Sequence, residues 1–259
     1  GYINLASGAA IPTSGGNVTL GGGVNPATDF AYSTTAGQSG VQFTGASLTT
    51  AGGNVVINGS VNATGVNNGI SLTTASAIDS SAGNITLNGR STSTSSSVSQ
   101  NNYAILLNRA TLTTTSGHVT LDGVNTAAIS TGAGGIDLNG LGGASSITTA
   151  SGNITLTGSA SANGGTGGIH RGVFLINSFA VSSASGNIAI TGTAGGAGSN
   201  NRGVELNNSA SVKTTGSGPV PLPGPGAGPT GFGGGVQVQG LIETTGTGSI
   251  AITGTGGGT

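Results

Sequence analysis

The chain has 259 residues, of which 54 are glycine and only 4% are charged, and its formal net charge at pH 7 is -1. Without cysteine it cannot have a disulfide framework, and five lysine and arginine residues are too few to neutralise nucleic-acid phosphates. No stretch approaches the ~20 apolar residues of a membrane span, and residues that commonly perform catalysis are scarce. Composition leaves disorder as the main alternative to a repetitive fold.

A pentapeptide of the form Gly-Asn-Ile-Thr-Leu recurs eight times, at intervals of 30 to 37 residues. The opening glycine is present in every copy, and so is a glycine two residues after the last aliphatic residue. The copies occupy residues 16–20, 53–57, 83–87, 117–121, 152–156, 186–190, 218–222 and 248–252. We predict that both glycine columns mark corners where the backbone takes positive φ.

Two apolar segments precede each copy in chain order. The first is an aliphatic patch near residues 3, 41, 70, 105, 136, 173, 204 and 236, and the second is a short apolar-Thr-Thr-like segment. Apolar and polar residues alternate in all three segments, which predicts short β-strands. Three strands in each repeat of ~30 residues predict an all-β parallel β-solenoid. The whole chain, residues 1–259, would form one segment of about eight turns, or rungs, starting near residues 2, 40, 69, 103, 135, 172, 203 and 235.

Polar residues occupy fixed positions in the same repeat. The second pentapeptide position predicts a structural ladder in which side chains hydrogen-bond from rung to rung, formed by Asn17, Asn54, Asn84, His118, Asn153 and Asn187. A hydroxyl column predicts a second stack, formed by Thr50, Ser80, Thr114, Thr149, Ser183, Thr214 and Thr244. Variable loops at 23–40, 91–103, 159–171, 194–202 and 223–235 are the expected location of any binding specificity.

The segment Ser-Gly-Asn-Ile-Thr-Leu-Thr-Gly at residues 151–158, with Ser-Ile-Thr-Thr at 146–149, resembles repeats of large exoproteins related to filamentous haemagglutinin. The resemblance covers essentially the whole chain. It implies a right-handed β-helix, secretion across the outer membrane of Gram-negative bacteria by the two-partner route, and adhesion or fibre formation at the cell surface. The implied partners are glycans or proteins of host or neighbouring cells, with end-to-end or lateral self-association.

No signal peptide and no capping terminal rung is recognisable in the sequence, so we expect a piece of a longer rod or fibre. The primary prediction is a structural or adhesive stalk. A carbohydrate-binding or carbohydrate-active β-helix and a self-assembling extracellular filament are the alternatives. The interrupted threonine columns argue against an ice-binding face.

The few ionisable residues do not predict an enzyme. We assign Asp29, Asp79, Asp122, Asp137, Glu205 and Glu243 to different rungs and faces, which predicts scattered surface charge and no catalytic pair. His170 lies in a loop without an evident partner, so neither a metal nor another cofactor is expected. Arg171 and Arg202 fall at equivalent positions of consecutive rungs, where they form a small surface anion spot or simply diverge into solvent.

Overall fold

The computed structural model describes residues 1–65, 67–93, 102–127, 132–161, 169–196, 198, 200–226 and 233–256. Parts of the predicted loops at 91–103, 159–171, 194–202 and 223–235 lie outside these ranges. Within them the regular secondary structure consists of strands, and no helix occurs. The all-β prediction is confirmed.

The strands, numbered along the chain, form three columns. The first contains β1 (Ile3–Leu5), β5 (Val41–Thr44), the beginnings of β8 (Ile70–Ser81) and β10 (Asn102–Thr114), β12 (Ala133–Asn139), β15 (Arg171–Ile176), β18 (Arg202–Leu206) and β21 (Gly234–Val238). The second contains β2 (Ala10–Pro12), β6 (Ser47–Thr49), the ends of β8 and β10, β13 (Ser146–Thr149), β16 (Ala180–Ser183), β19 (Ser211–Thr214) and β22 (Leu241–Thr244). The third contains β3 (Val18–Leu20), β7 (Val55–Val61), β9 (Ile85–Ser91), β11 (Val119–Asn125), β14 (Ile154–Ser159), β17 (Ile188–Thr193), β20 (Val220–Pro225) and β23 (Ile250–Thr255).

Except between β17 and β20, each strand of a column pairs in parallel with its equivalent in the next rung. In the third column, Val119 lies opposite Ile85 on one side and opposite Ile154 on the other. The first column runs from β1 to β21 through seven pairing steps, so the fold is a parallel β-solenoid of about seven turns. The right-handed sense stays a prediction.

Aliphatic side chains from all three columns meet in one continuous core. In β14, Ile154 and Leu156 are fully buried, whereas Thr155 is half-buried and Thr157 is exposed. The alternation places the apolar set inside because successive side chains of a strand point to opposite faces. Phe43 and Phe179 are the largest side chains in this core, and both are fully buried.

The third column is interrupted between β17 and β20. The rung of β20 carries Pro219, Pro221, Pro223 and Pro225, which have no backbone N–H to donate. Backbone N–H groups of Ile188 and Ala194 still donate to this rung. The pairing is therefore incomplete, and β20 and β23 form a separate two-stranded sheet.

The first variable region, 23–40, is more regular than predicted. It contains β4 (Ala31–Ser33), which pairs with the end of β7. The side-chain amide of Asn58 donates to the carbonyls of Pro26 and Ala27, at 2.9 and 3.0 Å. This region is therefore tied to the third column instead of projecting as a simple loop.

Candidate functional site

The opening glycines of the pentapeptides occupy a corner where neighbouring rungs are in very close contact. A Cβ atom at Gly152 would overlap the carbonyl oxygen of Gly117, and one at Gly186 would overlap that of Gly152. None of these glycines has positive φ. The prediction of positive φ was therefore wrong for this column: glycine is required because the backbone of the preceding rung fills the space of a side chain.

The second glycine column has the same cause. A Cβ atom at Gly158 would overlap the carbonyl oxygen of Gly172, at the start of the next first-column strand, and Gly192 lies in the same way against Gly203. These glycines also lack positive φ. Left-handed backbone occurs instead at other turns, including Asn177 and Asn208, with φ of 56° and 45°.

The structure places the asparagine column in a continuous hydrogen-bonded ladder. The side-chain oxygen of Asn54 accepts the backbone N–H of Asn84, at 2.9 Å, and that of Asn84 accepts the backbone N–H of His118, at 2.7 Å. The links from Asn17 to Asn54 and from Asn153 to Asn187 have the same form, at 2.8 and 2.9 Å, and the ring Nδ1 of His118 accepts the backbone N–H of Asn153 at 2.9 Å. Each of these side chains, from Asn17 to Asn153, therefore holds the backbone of the following rung.

This ladder lies at the surface. Its six side chains are exposed. After Asn187 the equivalent position is Pro219, which cannot donate a backbone N–H. The side-chain ladder therefore ends at Asn187, before the rung at which the third column is also interrupted.

The hydroxyl column lies beside the glycine corner and is buried except at its last member, Thr244, which is half-buried. The hydroxyls of Ser80 and Thr114 donate to the carbonyls of Gly83 and Gly117, three residues onward, at 2.6 and 3.1 Å. We expected these hydroxyls to stack on one another, but most of them satisfy the carbonyl groups of their own turns. The reason is that a buried carbonyl without a hydrogen bond is costly.

A second amide ladder was not foreseen. The side-chain amide of Asn177 donates to Asn139, at 3.0 Å, and that of Asn208 donates to Asn177, at 3.3 Å. This ladder follows the first-column strands. Its sequence signal is obscured because Asn139 is opposite Ile176 in the strand register, so the asparagines do not share one column.

Four charged residues come together with two aromatic ones on the outward face of the first column, in what we call the ion cluster: Tyr103, Asp137, Arg171, Phe174, Arg202 and Glu205. Strand pairing places Asp137, Phe174 and Glu205 in one row across three rungs. Their exposed fractions are 5%, 6% and 2%. The prediction that acidic residues occupy unrelated faces is wrong for Asp137 and Glu205.

Glu205 forms ion pairs with both arginines of the ion cluster. Its Oε2 forms an ion pair with Nε of Arg171 and lies 3.2 Å from Nη1 of Arg202, and the arginine side chains are 15% and 18% exposed. Arg171 also lies 4.0 Å from the centroid of the Phe174 ring. Arg171 and Arg202 do lie together on consecutive rungs. In the predicted surface anion spot an external anion would bind between them, but Glu205 occupies that position.

Asp137 has a different environment. The Tyr103 ring lies over Gly134, where a Cβ atom would overlap it. Burial raises the pKa of Asp137 to about 7, although Tyr103 and Arg171 act in the opposite direction. Burial also raises the pKa of Tyr103, and the charge of Asp137 adds to this effect. Asp137 is therefore largely protonated below neutral pH.

Stability should depend on pH through Asp137. Since its folded pKa of about 7 exceeds the ordinary aspartate pKa of 3.8, the folded state holds a proton that the unfolded state has lost between these pH values. The free energy of unfolding should fall by about 2–3 kcal/mol from pH 5 to pH 8. In Asp137→Asn, which resembles the protonated acid, this component should disappear. Urea unfolding at several pH values measures it, and parallel curves for both proteins would contradict it.

Further ion pairs also bridge rungs. Arg90 pairs with Asp122 at 2.6 Å, and Lys213 pairs with Glu243 at 2.9 Å.

A shallow groove of about 490 Å³ runs along the second column and is lined in part by Lys213, Thr148 and Ser182. The groove offers hydroxyl groups and one ammonium group to a polar ligand. Carbohydrate binding stays a prediction.

His170 does not lie in an open loop. It is fully buried, and its backbone N–H donates to the side-chain oxygen of Asn201, at 2.9 Å. Across the described ranges, no group of three His, Cys, Asp or Glu residues is arranged to hold a metal ion.

In the part of the chain that the structure describes, there is no helix long and apolar enough to cross a membrane. Comparison of the chain with protein-family models, with curated proteins and with solved structures finds no match.

Proposed function

We propose that the chain is a stalk segment of a bacterial extracellular surface protein, a stiff β-solenoid that presents variable loops and takes part in adhesion. The observation that carries this proposal is the registered stacking of equivalent residues from rung to rung. Seven steps of ~4.8 Å give a rod of about 34 Å. The role is mechanical, and catalysis has no part in it.

The use of polar groups supports a mechanical role. The ion pairs of Arg90, Arg171 and Lys213 each join neighbouring rungs, and the exposed amide ladder does the same. The two carboxylates that share a row, Asp137 and Glu205, are buried beneath the outward surface. These groups therefore connect the rungs with each other and do not line an open acidic groove.

The cell-surface location and adhesion rest on the resemblance to filamentous-haemagglutinin-like repeats. In this proposal the loops contact glycans or proteins of an opposing surface, while the solenoid sets their distance from the cell. Antibodies raised against the chain should label intact cells of the organism that produces it. Labelling that appears only after permeabilisation would overturn the extracellular location.

An internal deletion tests the mechanical role. Removing residues 84–152 joins Gly83 to Asn153, retains the Gly-Asn corner and excises two whole rungs. The protein should unfold cooperatively, and small-angle X-ray scattering should show a rod shorter by about 10 Å. The control deletion of 84–136 joins Gly83 to Asp137, out of register, and should prevent folding. Equal behaviour of the two deletions would contradict the stalk.

A further inference from the structure

His118 differs from the other members of the exposed ladder in its acceptor, which is a ring nitrogen. Its backbone N–H donates to Asn84, and its Nδ1 accepts the backbone N–H of Asn153 at 2.9 Å. We propose that His118 is a proton-sensitive link. Acidification breaks its side-chain hydrogen bond between the rungs of β11 and β14, while the asparagine links on either side persist.

The chemistry follows from which nitrogen carries the proton. A neutral imidazole has one N–H donor and one lone pair that can accept a hydrogen bond. Because Nδ1 of His118 accepts, we assign its proton to Nε2. A proton taken from solvent by Nδ1 occupies that lone pair, so the imidazolium presents an N–H to the N–H of Asn153. The amide oxygens of Asn84 and Asn153 remain acceptors in mild acid, whereas histidine ordinarily changes charge between about pH 5 and 8.

The surroundings of His118 leave this effect largely unopposed. The residues before and after it in the ladder, Asn84 and Asn153, are neutral. On β11, the carboxylate of Asp122 is paired with Arg90. In the preceding rung, the carboxylate of Asp79 accepts the backbone N–H of Ser81 at 2.8 Å.

Exposure determines the size of the response. The His118 side chain lies at the surface, so water solvates the imidazolium and the freed N–H of Asn153. The core beneath, including Val119 and Ile154, is fully buried and does not depend on the ladder. Acidification should therefore open one corner of the solenoid without unfolding it.

Amide hydrogen exchange measured by NMR tests this at a single position. Between pH 7.5 and pH 5, the protection factor of the Asn153 amide should fall about tenfold, the scale of one hydrogen bond. The factors of Asn84 and Asn187 should stay constant. His118→Asn, which restores the commonest residue of the column, should remove the loss. Nitrogen chemical shifts of the ring at pH 7.5 should show an unprotonated Nδ1.

The sensitivity should move with the histidine. In the double variant His118→Asn with Asn153→His, the acid-dependent loss should transfer to the amide of Asn187, which donates its ladder bond to the side chain of residue 153. Constant protection of Asn153 in the unsubstituted protein, an equal loss in His118→Asn, or a protonated Nδ1 at pH 7.5 would each overturn the proposal. These measurements use the isolated protein, so they are independent of its location or adhesive role.

Discussion

Ile154→Asp should lower the free energy of unfolding by about 5 kcal/mol or more, enough to prevent folding of a marginal chain. Ile154 is fully buried between Val119 and Ile188 of the neighbouring rungs. The substitution removes an aliphatic side chain from the core and introduces a carboxylate with no compensating partner. Circular dichroism and urea unfolding measure the effect.

Two matched variants separate burial from charge. Ile154→Val, which places at this position the residue found at Val119, should cost about 1 kcal/mol. Thr157→Asp introduces the same charge at an exposed position of the same strand, opposite Asp122 in the strand register. Because Asp122 is paired with Arg90, Thr157→Asp should change stability by about 1 kcal/mol at most. An unchanged unfolding curve for Ile154→Asp would contradict the inward register.

The period of the sequence was sufficient to predict the solenoid. The apolar positions that we assigned to the third column, such as Ile85 and Ile154, are the buried positions of the structure. Alternation every second residue identifies the buried face, and the recurrence interval identifies which strands pair. The alternation and the interval are both features of the linear sequence, so recognising them requires no knowledge of contacts across the core.

The ion cluster was missed although its signal is present in the sequence. The aliphatic patches contain Asp137, Phe174 and Glu205 as their middle residues, and the strand register stacks these residues in one row. The apolar residues of these patches align from rung to rung, and the middle residues that separate them align in the same way. The raised pKa of Asp137 could not be predicted in this way, because it depends on burial of an outward side chain.

The glycine corners show what the period cannot determine. A spacing of glycines that recurs from repeat to repeat is equally compatible with positive φ and with a backbone that has no room for a side chain. Only the distance between rungs distinguishes these causes, and at Gly117 and Gly152 it is the adjoining backbone that excludes a Cβ atom. The two causes lead to different expectations for Gly16, where only the side chain of Thr13 lies within 4 Å of an added Cβ atom.

Gly152→Ala should therefore be strongly destabilising, by about 3 kcal/mol or more, since the added Cβ would overlap the backbone carbonyl of Gly117 and one rung must shift. Gly16→Ala is the matched control from the same column. A Cβ at Gly16 would meet only the side chain of Thr13, at 3.6 Å, and the backbone there lacks positive φ. Gly16→Ala should change stability by about 0.5 kcal/mol at most, as an ordinary exposed substitution does.

Urea unfolding of both alanine variants decides between the two causes. If left-handed backbone were the requirement, Gly16→Ala and Gly152→Ala would be destabilised alike, because both glycines hold the same place in the repeat. If contact between rungs is the requirement, the penalty falls on Gly152→Ala alone. The separation of the rungs then limits side-chain size at this corner, which explains why a chain so rich in glycine forms an ordered rod.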